Sequence, residues 1–211
     1  MGGIEPVVKD LYVWTPFLAA GFMWNIVISL VALIVGTGWG YVLARLRLSP
    51  HDVLSKAGNA ATELMRNIPT FVFQFYLVFM LPDALSLPST AVQLPFPSWL
   101  KAALALALAV AGFVSDNLLL TLSEPREERR RAMLLFVSNW GHFFVVIVMA
   151  SSTASVIGVS ELVSRCNTVI NVIGKTEAML WVYLYAMTWF FLFCYSTTVL
   201  ILKLSRRLDR E

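Results

Sequence analysis

The side chains best suited to chemistry in this chain are polar groups embedded in long apolar runs. Asp116, preceded by Ser115 and followed by Asn117, lies deepest in such a run. Placing a carboxylate inside a membrane costs free energy, so such a residue by default suggests a function. One such function is to form a polar patch on a transport path, where the carboxylate binds an ammonium group. The alternative is that Asp116 lies near the end of its helix and reaches water. Both interpretations stay open at this level.

Two further stretches place polar groups at the ends of apolar runs. Pro69 fixes a bend and leaves backbone groups free near Asn67 and Thr70. A second stretch follows a long apolar run with four hydroxyl side chains: Ser151, Ser152, Thr153 and Ser155. Small polar residues permit tight helix packing. A substrate passage lined by hydroxyl groups is the alternative, so all six polar residues are candidates for such a path.

Catalytic and metal-binding patterns are missing from the sequence. The chain has no G-x-x-x-x-G-K-[ST] phosphate loop, so we expect any ATP to be bound by a partner. His51 and His142 have no partner at the spacing of a metal ligand or a catalytic triad, and Cys166 and Cys194 lack metal spacing. We therefore predict a protein that is not an enzyme and carries no metal or cofactor of its own.

The elements that hold these residues are predicted to be membrane helices. Residues 11–44 contain no Asp, Glu, Lys or Arg, and the chain is 58% hydrophobic and only 14% charged, with a mean hydropathy of +0.74. About 20 helical residues cross a bilayer. The predicted spans are 17–42, 63–81, 99–122, 132–159 and 178–203. We expect an all-α integral membrane protein with five transmembrane helices, forming one domain over residues 1–211.

The distribution of basic residues predicts the orientation. Twelve of the 16 Lys and Arg residues fall on one side of the predicted spans, and short cytoplasmic loops retain such residues. The N-terminus is therefore predicted outside and the C-terminus in the cytoplasm. The net charge of +3 is explained by this topology, without a nucleic acid partner.

The connecting segments are predicted to be irregular or interfacial. Residues 1–15 have the composition of a segment on the outer membrane surface, residues 82–98 form a proline-rich external loop, and residues 158–175 form a second external loop. Gly36 and Gly40 allow close packing of the first span on another helix. They also make that span a candidate for the contact with a partner subunit.

Four segments, taken in order, resemble a known family. They read Gly-x-x-x-Asn-Ile-x-Ile-Ser over residues 21–29, Gly-Thr-x-x-Gly-Tyr over 36–41, Thr-Glu-x-x-Arg-Asn-Ile-Pro-Thr over 62–70, and Ala-Ser-Val-Ile-Gly-Val-x-Glu-Leu over 154–162. In kind and order they resemble the membrane subunits of polar amino-acid ABC importers.

The resemblance implies the permease fold of type I importers, with five spans, the N-terminus outside and the C-terminus inside. It also implies a role in moving polar amino acids across the inner membrane of a bacterium. The partners implied are a second permease subunit, a cytoplasmic ATP-binding dimer and an extracytoplasmic substrate-binding protein. The bilayer itself surrounds the complex.

The sequence departs from this family between the third and fourth spans. Members normally carry Glu-Ala-Ala followed by Gly in a short helix that contacts the ATPase, but here residues 123–132 read Ser-Glu-Pro-Arg-Glu-Glu-Arg-Arg-Arg-Ala. The candidates for a shortened ATPase-facing loop are Glu124, Arg126, Glu127, Glu128 and Arg129. The alternative is a solvated charged turn.

The shortened loop predicts an asymmetric pore, in which a second permease supplies the main ATPase contact. Two other hypotheses remain. The chain is either an accessory or scaffolding membrane subunit that lines no pathway or, less favoured, a small secondary transporter.

Overall fold

A computed structural model describes the backbone of residues 4–86 and 93–208. The helices are α1 (Ile4–Arg47), α2 (Asp52–Asn67), α3 (Thr70–Met80), α4 (Ser98–Ser123), α5 (Arg129–Ala150), α6 (Leu162–Ile173) and α7 (Thr176–Leu208). A 3-10 helix (Ser151–Ile157) continues α5. Between α3 and α4, strands β1 (Ala84–Ser86) and β2 (Gln93–Pro95) pair antiparallel. The predicted all-α class is confirmed, with one short hairpin added.

Within the described residues, four helices are long and apolar enough to cross a membrane. They are α1 from Lys9 onward, α4, α5 with its 3-10 continuation, and α7. These helices overlap the predicted spans 17–42, 99–122, 132–159 and 178–203. The total of five spans and the orientation stay predictions.

The helix predicted over residues 63–81 is two helices instead of one. Helix α2 ends at Asn67, Ile68 is extended with φ −84° and ψ 126°, and α3 begins at Thr70. Pro69 accounts for the break, because its ring disfavours the helical conformation of the preceding residue and it has no N–H to donate. Helix α3 is only 11 residues long, which is short of a full membrane crossing.

Three connecting segments are more regular than predicted. Residues 158–175, expected to be a loop, contain the 12-residue helix α6. The proline-rich segment 82–98 contains β1 and β2, and residues 87–92 lie outside the described part of the chain. Helix α1 begins at Ile4 and passes through Pro16, so residues 4–15 are helical, whereas residues 1–3 lie outside the described part of the chain. The location of this segment on the outer membrane surface stays a prediction.

Helices α1 and α4 pack closely against each other at two glycines of α1. A Cβ atom added to Gly36 would lie 2.5 Å from the Ala107 carbonyl oxygen, and one added to Gly40 would lie 2.6 Å from Val114 Cβ. The predicted tight helix contact is therefore made within the chain. Whether α1 also contacts a partner subunit through another face stays a prediction.

Two apolar cores hold the helices together. One forms where α1, α4, α5 and the 3-10 helix meet, and the other joins the first half of α1 to α6 and α7. Helix α7 lies at the periphery, because only 6% of its most apolar stretch is buried, against 56% for α4. Its exposed side chains are largely apolar and suit contact with lipid rather than with water. Examples are Leu180, Phe191 and Tyr195.

Candidate functional site

Asp116 on α4 is paired with two arginines. Arg47 Nη1, at the end of α1, lies 2.7 Å from Asp116 Oδ1, and Arg66 Nη1, at the end of α2, lies 3.2 Å from Asp116 Oδ2. The Asp116 side chain is 30% exposed. The carboxylate is therefore neither isolated in the apolar interior nor free in water. It joins three helices at the end of the molecule where α1 and α4 both finish.

Arg47 is held more firmly than Arg66. Its Nε donates to Asn59 Oδ1 at 2.8 Å and its Nη1 donates to Ser115 Oγ at 3.0 Å, and its side chain is 13% exposed. Ser115 Oγ also lies 3.0 Å from the buried hydroxyl of Thr62. The Arg66 side chain is 58% exposed and makes the single contact to Asp116. Arg47 is thus the fixed partner of the carboxylate and Arg66 the mobile one.

A cavity of about 380 Å³ lies directly beside the Arg66–Asp116 pair. Its volume is within the range of small-molecule sites. One part of its wall is polar, formed by Arg66, Thr70, Asp116 and Asn117, and the rest is apolar, formed by Met65, Ile68, Pro69, Ala109, Phe113 and Phe143. The site therefore offers charge of both signs next to an apolar surface.

The break between α2 and α3 positions one side of this cavity. Ile68 and Pro69, which interrupt the helix, are themselves part of the wall. On the opposite side the rings of Phe113 and Phe143 stack with centroids 4.0 Å apart, which joins α4 to α5. The cavity is therefore bounded by a helix break on one side and by packed aromatic rings on the other.

The structure brings together only some of the predicted path residues. Thr70, Asp116 and Asn117 line the cavity, whereas Asn67 is exposed and lies outside its lining. Asn117 Oδ1 accepts a 3.4 Å hydrogen bond from Asn139 Nδ2 on α5. Sequence reasoning missed Asn139, although a polar residue within an apolar run was the signal that could have found it.

The four hydroxyl side chains within residues 151–155 form a separate cluster. Ser152 and Ser155 donate to backbone carbonyls three residues earlier, at 2.8 and 2.9 Å. Ser151 Oγ donates to Val148 O at 2.7 Å, and Thr153 Oγ1 lies 2.8 Å from Gln74 Oε1 on α3. No hydrogen bond between described residues links this cluster to Asp116. These hydroxyls serve the local helix and its packing.

A buried junction near this cluster was not predicted. Asn25 Nδ2 on α1 donates to Ser151 Oγ and to Glu161 Oε2, both at 2.9 Å, and Asn25 Oδ1 accepts from the Leu162 N–H at 3.1 Å. Glu161 caps α6 by accepting from the N–H groups of Val163 and Ser164. The junction therefore ties α1 to the 3-10 helix and to α6 by side chains far apart in sequence.

Burial raises the pKa of the Glu161 carboxyl group above its usual range. Hydrogen bonds from Asn25 and from the N–H groups of Ser164 and Val163 act in the opposite direction and offset part of this effect. Because these donors surround the carboxylate, the residue has the surroundings of a structural cap rather than of a free proton carrier.

Gln74 on α3 is buried, and its amide nitrogen has no hydrogen-bond partner among the described residues. Its Oε1 accepts from Thr153. Buried polar groups usually have a partner. Gln74 was not among the predicted site residues, although an amide in the apolar run 70–80 was visible in the sequence.

The predicted ATPase-facing residues lie in a short turn between α4 and α5. Arg126, Glu127 and Glu128 are exposed in this turn, Glu124 is half-buried, and Arg129 begins α5. Arg129 Nη2 donates to the carbonyl oxygens of Leu122 and Glu124 at 3.4 and 3.3 Å. No helix separates α4 from α5, in agreement with the short loop of the sequence.

Comparison with known proteins gives one informative likeness. No family model and no curated protein matches the sequence. Among solved structures, a chain described as "Crystal structure of an amino acid ABC transporter with histidines" superposes with a TM-score of 0.78. The match covers 98% of this chain and 99% of that chain, at 16% sequence identity. The two chains share a fold. The architecture implied by the sequence resemblance is thereby confirmed.

Within this fold, the cavity beside Asp116 offers polar groups that suit a small polar ligand. It places a cation, a carboxylate, an amide and a hydroxyl group around one space. Among the described residues, no group of three or more His, Cys, Asp or Glu side chains is arranged to hold a metal ion. The groups around the cavity can bind a ligand by charge and by hydrogen bonds.

Proposed function

We propose that this chain is a permease subunit of an ABC importer for polar amino acids or close relatives. The observation that supports the proposal most strongly is the common fold with an amino acid ABC transporter over nearly the whole length of both chains. The proposed location is the inner membrane of a bacterium, as a multi-pass protein with its C-terminus in the cytoplasm.

In this proposal the cavity beside Asp116 is part of the substrate path. Amino acids carry an ammonium and a carboxylate group, and the Arg66–Asp116 pair presents a complementary charge to each. A ligand that enters displaces Arg66 from Asp116 Oδ2, because this contact is the longer and more exposed of the two. Arg47 keeps the carboxylate in place meanwhile. Thr70 and Asn117 supply further hydrogen bonds.

The proposed partners are those implied by the resemblance to the membrane subunits of polar amino-acid ABC importers. The sequence has no phosphate-binding loop, so ATP is bound by a separate cytoplasmic dimer. A second permease subunit completes the pore, and an extracytoplasmic binding protein delivers the substrate. Because the turn between α4 and α5 is so short, the second permease supplies the larger contact with the ATPase.

The first experiment is purification of the tagged chain from native membranes in mild detergent, with identification of every co-purifying protein. Recovery of an ATPase together with a second permease that carries a longer loop between the corresponding helices supports the asymmetric importer. Recovery of the chain without any ATPase contradicts the proposal. Transport by this chain and an ATPase alone would retain the importer but contradict the asymmetry.

The second experiment tests the site itself. We expect Arg66→Gln to reduce amino acid uptake in proteoliposomes of the purified complex by at least tenfold, while assembly stays intact. Arg45→Gln is the matched control, because Arg45 is an exposed arginine in the last turn of α1, the turn that also carries Arg47. Uptake that is equally affected by both variants, or by neither, would remove the cavity from the path.

An accessory or scaffolding subunit is the second candidate function. The observation that favours it is the turn 124–128, which offers no helix to transmit motion from an ATPase. In that case Arg66→Gln leaves uptake unchanged, whereas deletion of the whole chain reduces the amount of assembled complex. The two measurements together separate the candidates.

A further inference from the structure

A groove between α5 and α7 is not used by the site described above. It has a volume of about 190 Å³ and an almost entirely apolar wall. Its lining residues are Leu134, Val137, Ser138, Trp140, Gly141, Ile201, Leu204 and Ser205. At its inner end a Cβ atom added to Gly141 would lie 3.1 Å from Ile201 Cδ1, so the two helices nearly touch there. From this point the lining residues continue toward the start of α5 and the end of α7, as far as Leu134 and Ser205.

Basic side chains lie at the wide end of the groove. On α5, Arg130 and Arg131 precede Leu134 by four and three residues, which places them on the same helix face as the lining residues. On α7, Arg207 follows Leu204 by three residues, so it lies one helical turn beyond this lining residue, toward the end of the helix. All three arginines are exposed, and the ion pairs among the described side chains involve none of them.

Other basic residues near the same membrane surface point elsewhere. Lys203 and Arg206 lie farther around α7 from the lining residues than Arg207 does, because Lys203 is two residues from both Ile201 and Ser205, and Arg206 is two residues from Leu204. Arg126 lies in the turn before α5. A preference for basic residues in cytoplasmic segments explains all of these charges equally. It does not explain why three of them lie near one end of a groove whose wall is almost entirely apolar and can receive a hydrocarbon chain.

We propose that this groove binds one anionic phospholipid of the cytoplasmic leaflet. An acyl chain lies along Val137, Gly141 and Ile201, and the phosphate group is held by Arg130, Arg131 and Arg207. Basic pockets between membrane helices on the cytoplasmic side are suited to such head groups. The long arginine side chains reach the head-group level while their stems stay against apolar surface. The proposal depends on the predicted orientation but not on transport.

The first test counts bound lipid in the purified full-length protein. After incubation with mixed phosphatidylglycerol and phosphatidylcholine micelles, native mass spectrometry should show one retained phosphatidylglycerol. The triple variant Arg130→Gln, Arg131→Gln and Arg207→Gln should bind it roughly 100-fold more weakly. The control variant Lys203→Gln, Arg206→Gln and Arg126→Gln removes the same number of charges and should bind like the wild type. Equal losses in both would mean general attraction to an anionic surface, and would overturn the proposal.

The second test fills the groove and leaves every charge in place. Ser138→Phe should lose the retained lipid, whereas Ser138→Ala should keep it, because the half-buried Ser138 lines the groove. A protein with Ser138→Phe that is monodisperse and still retains the lipid would contradict binding in the groove. If the triple variant instead keeps its lipid and loses a co-purifying subunit, the face is a protein contact and the proposal is wrong.

Discussion

Arg47 and Arg66 bind the same carboxylate, yet we expect their removal to have very different consequences. Arg47 makes hydrogen bonds to Asn59, Ser115 and Asp116 at 2.7 to 3.0 Å with a side chain that is 13% exposed. Hydrogen bonds to charged groups contribute about 1.5–3 kcal/mol each. Because these bonds share one side chain, we expect Arg47→Gln to reduce the free energy of unfolding by about 3 kcal/mol.

Arg66 makes one 3.2 Å contact with a side chain that is 58% exposed. Exposed ion pairs contribute at most about 1 kcal/mol. For a chain of this length 1 kcal/mol shifts Tm by about 2–4 °C. Arg47→Gln should therefore lower Tm by about 9 °C and Arg66→Gln by no more than about 3 °C.

The two cysteines of the chain provide the assay. Cys166 is fully buried, so its reaction with a thiol-specific dye reports unfolding in detergent. Replacing the partly buried Cys194 by alanine leaves Cys166 as the single reporter. Equal Tm losses for the two arginine variants would refute the distinction between a fixed and a mobile partner. A larger loss for Arg66→Gln would reverse it.

Three further perturbations test other parts of the structure with the same melting assay. Gly36→Val should lower the free energy of unfolding by about 1–3 kcal/mol, because the valine side chain would overlap α4. Gly38→Val should be tolerated, because a Cβ atom at Gly38 has open space around it. Similar losses in the two variants would argue against the close contact. Because burial raises the pKa of Glu161, the native state binds more protons than the unfolded state. The free energy of unfolding should therefore fall as the pH rises above the ordinary glutamate pKa of about 4.3. Glu161→Gln should remove this fall, and an unchanged pH profile in that variant would contradict the effect. Lys101 is buried, and its Nζ donates to Leu81 O and to Asp83 Oδ1 at the start of the loop between α3 and α4. Lys101→Met should therefore speed proteolysis of this loop, whereas Lys175→Met should not.

The long helices could be predicted from the sequence because hydropathy alone defines them. Helices α1, α4, α5 and α7 are apolar over more than a full membrane crossing, and their predicted spans overlap the observed helices. The break at Pro69 was visible as a bend, but the apolar stretch that follows it hid the end of α2. Helix α6 was missed because it is short and mixed in character, although Glu161 at its start and Gly174 at its end were typical capping residues.

The site could be predicted only in part, because its decisive contacts join distant residues. Asp116 was visible in the sequence as a polar residue within an apolar run, but its partner Arg47 is 69 positions away. Asn25 and Glu161 are separated by 136 positions. No local pattern announces such pairs, since they depend on which helices pack together. The hydroxyl cluster shows the same limit, since the contacts of Ser151 with Asn25 and of Thr153 with Gln74 also join distant residues.

The contact of α1 with α4 has a mechanical consequence. At Gly36 the backbones of the two helices are so close that a single methyl group would not fit, and at their ends Arg47 and Asp116 join them by an ion pair. Neither helix can slide or turn against the other without a steric clash. The pair therefore moves as one rigid unit, and any rearrangement of the described helices is expected at contacts other than this one.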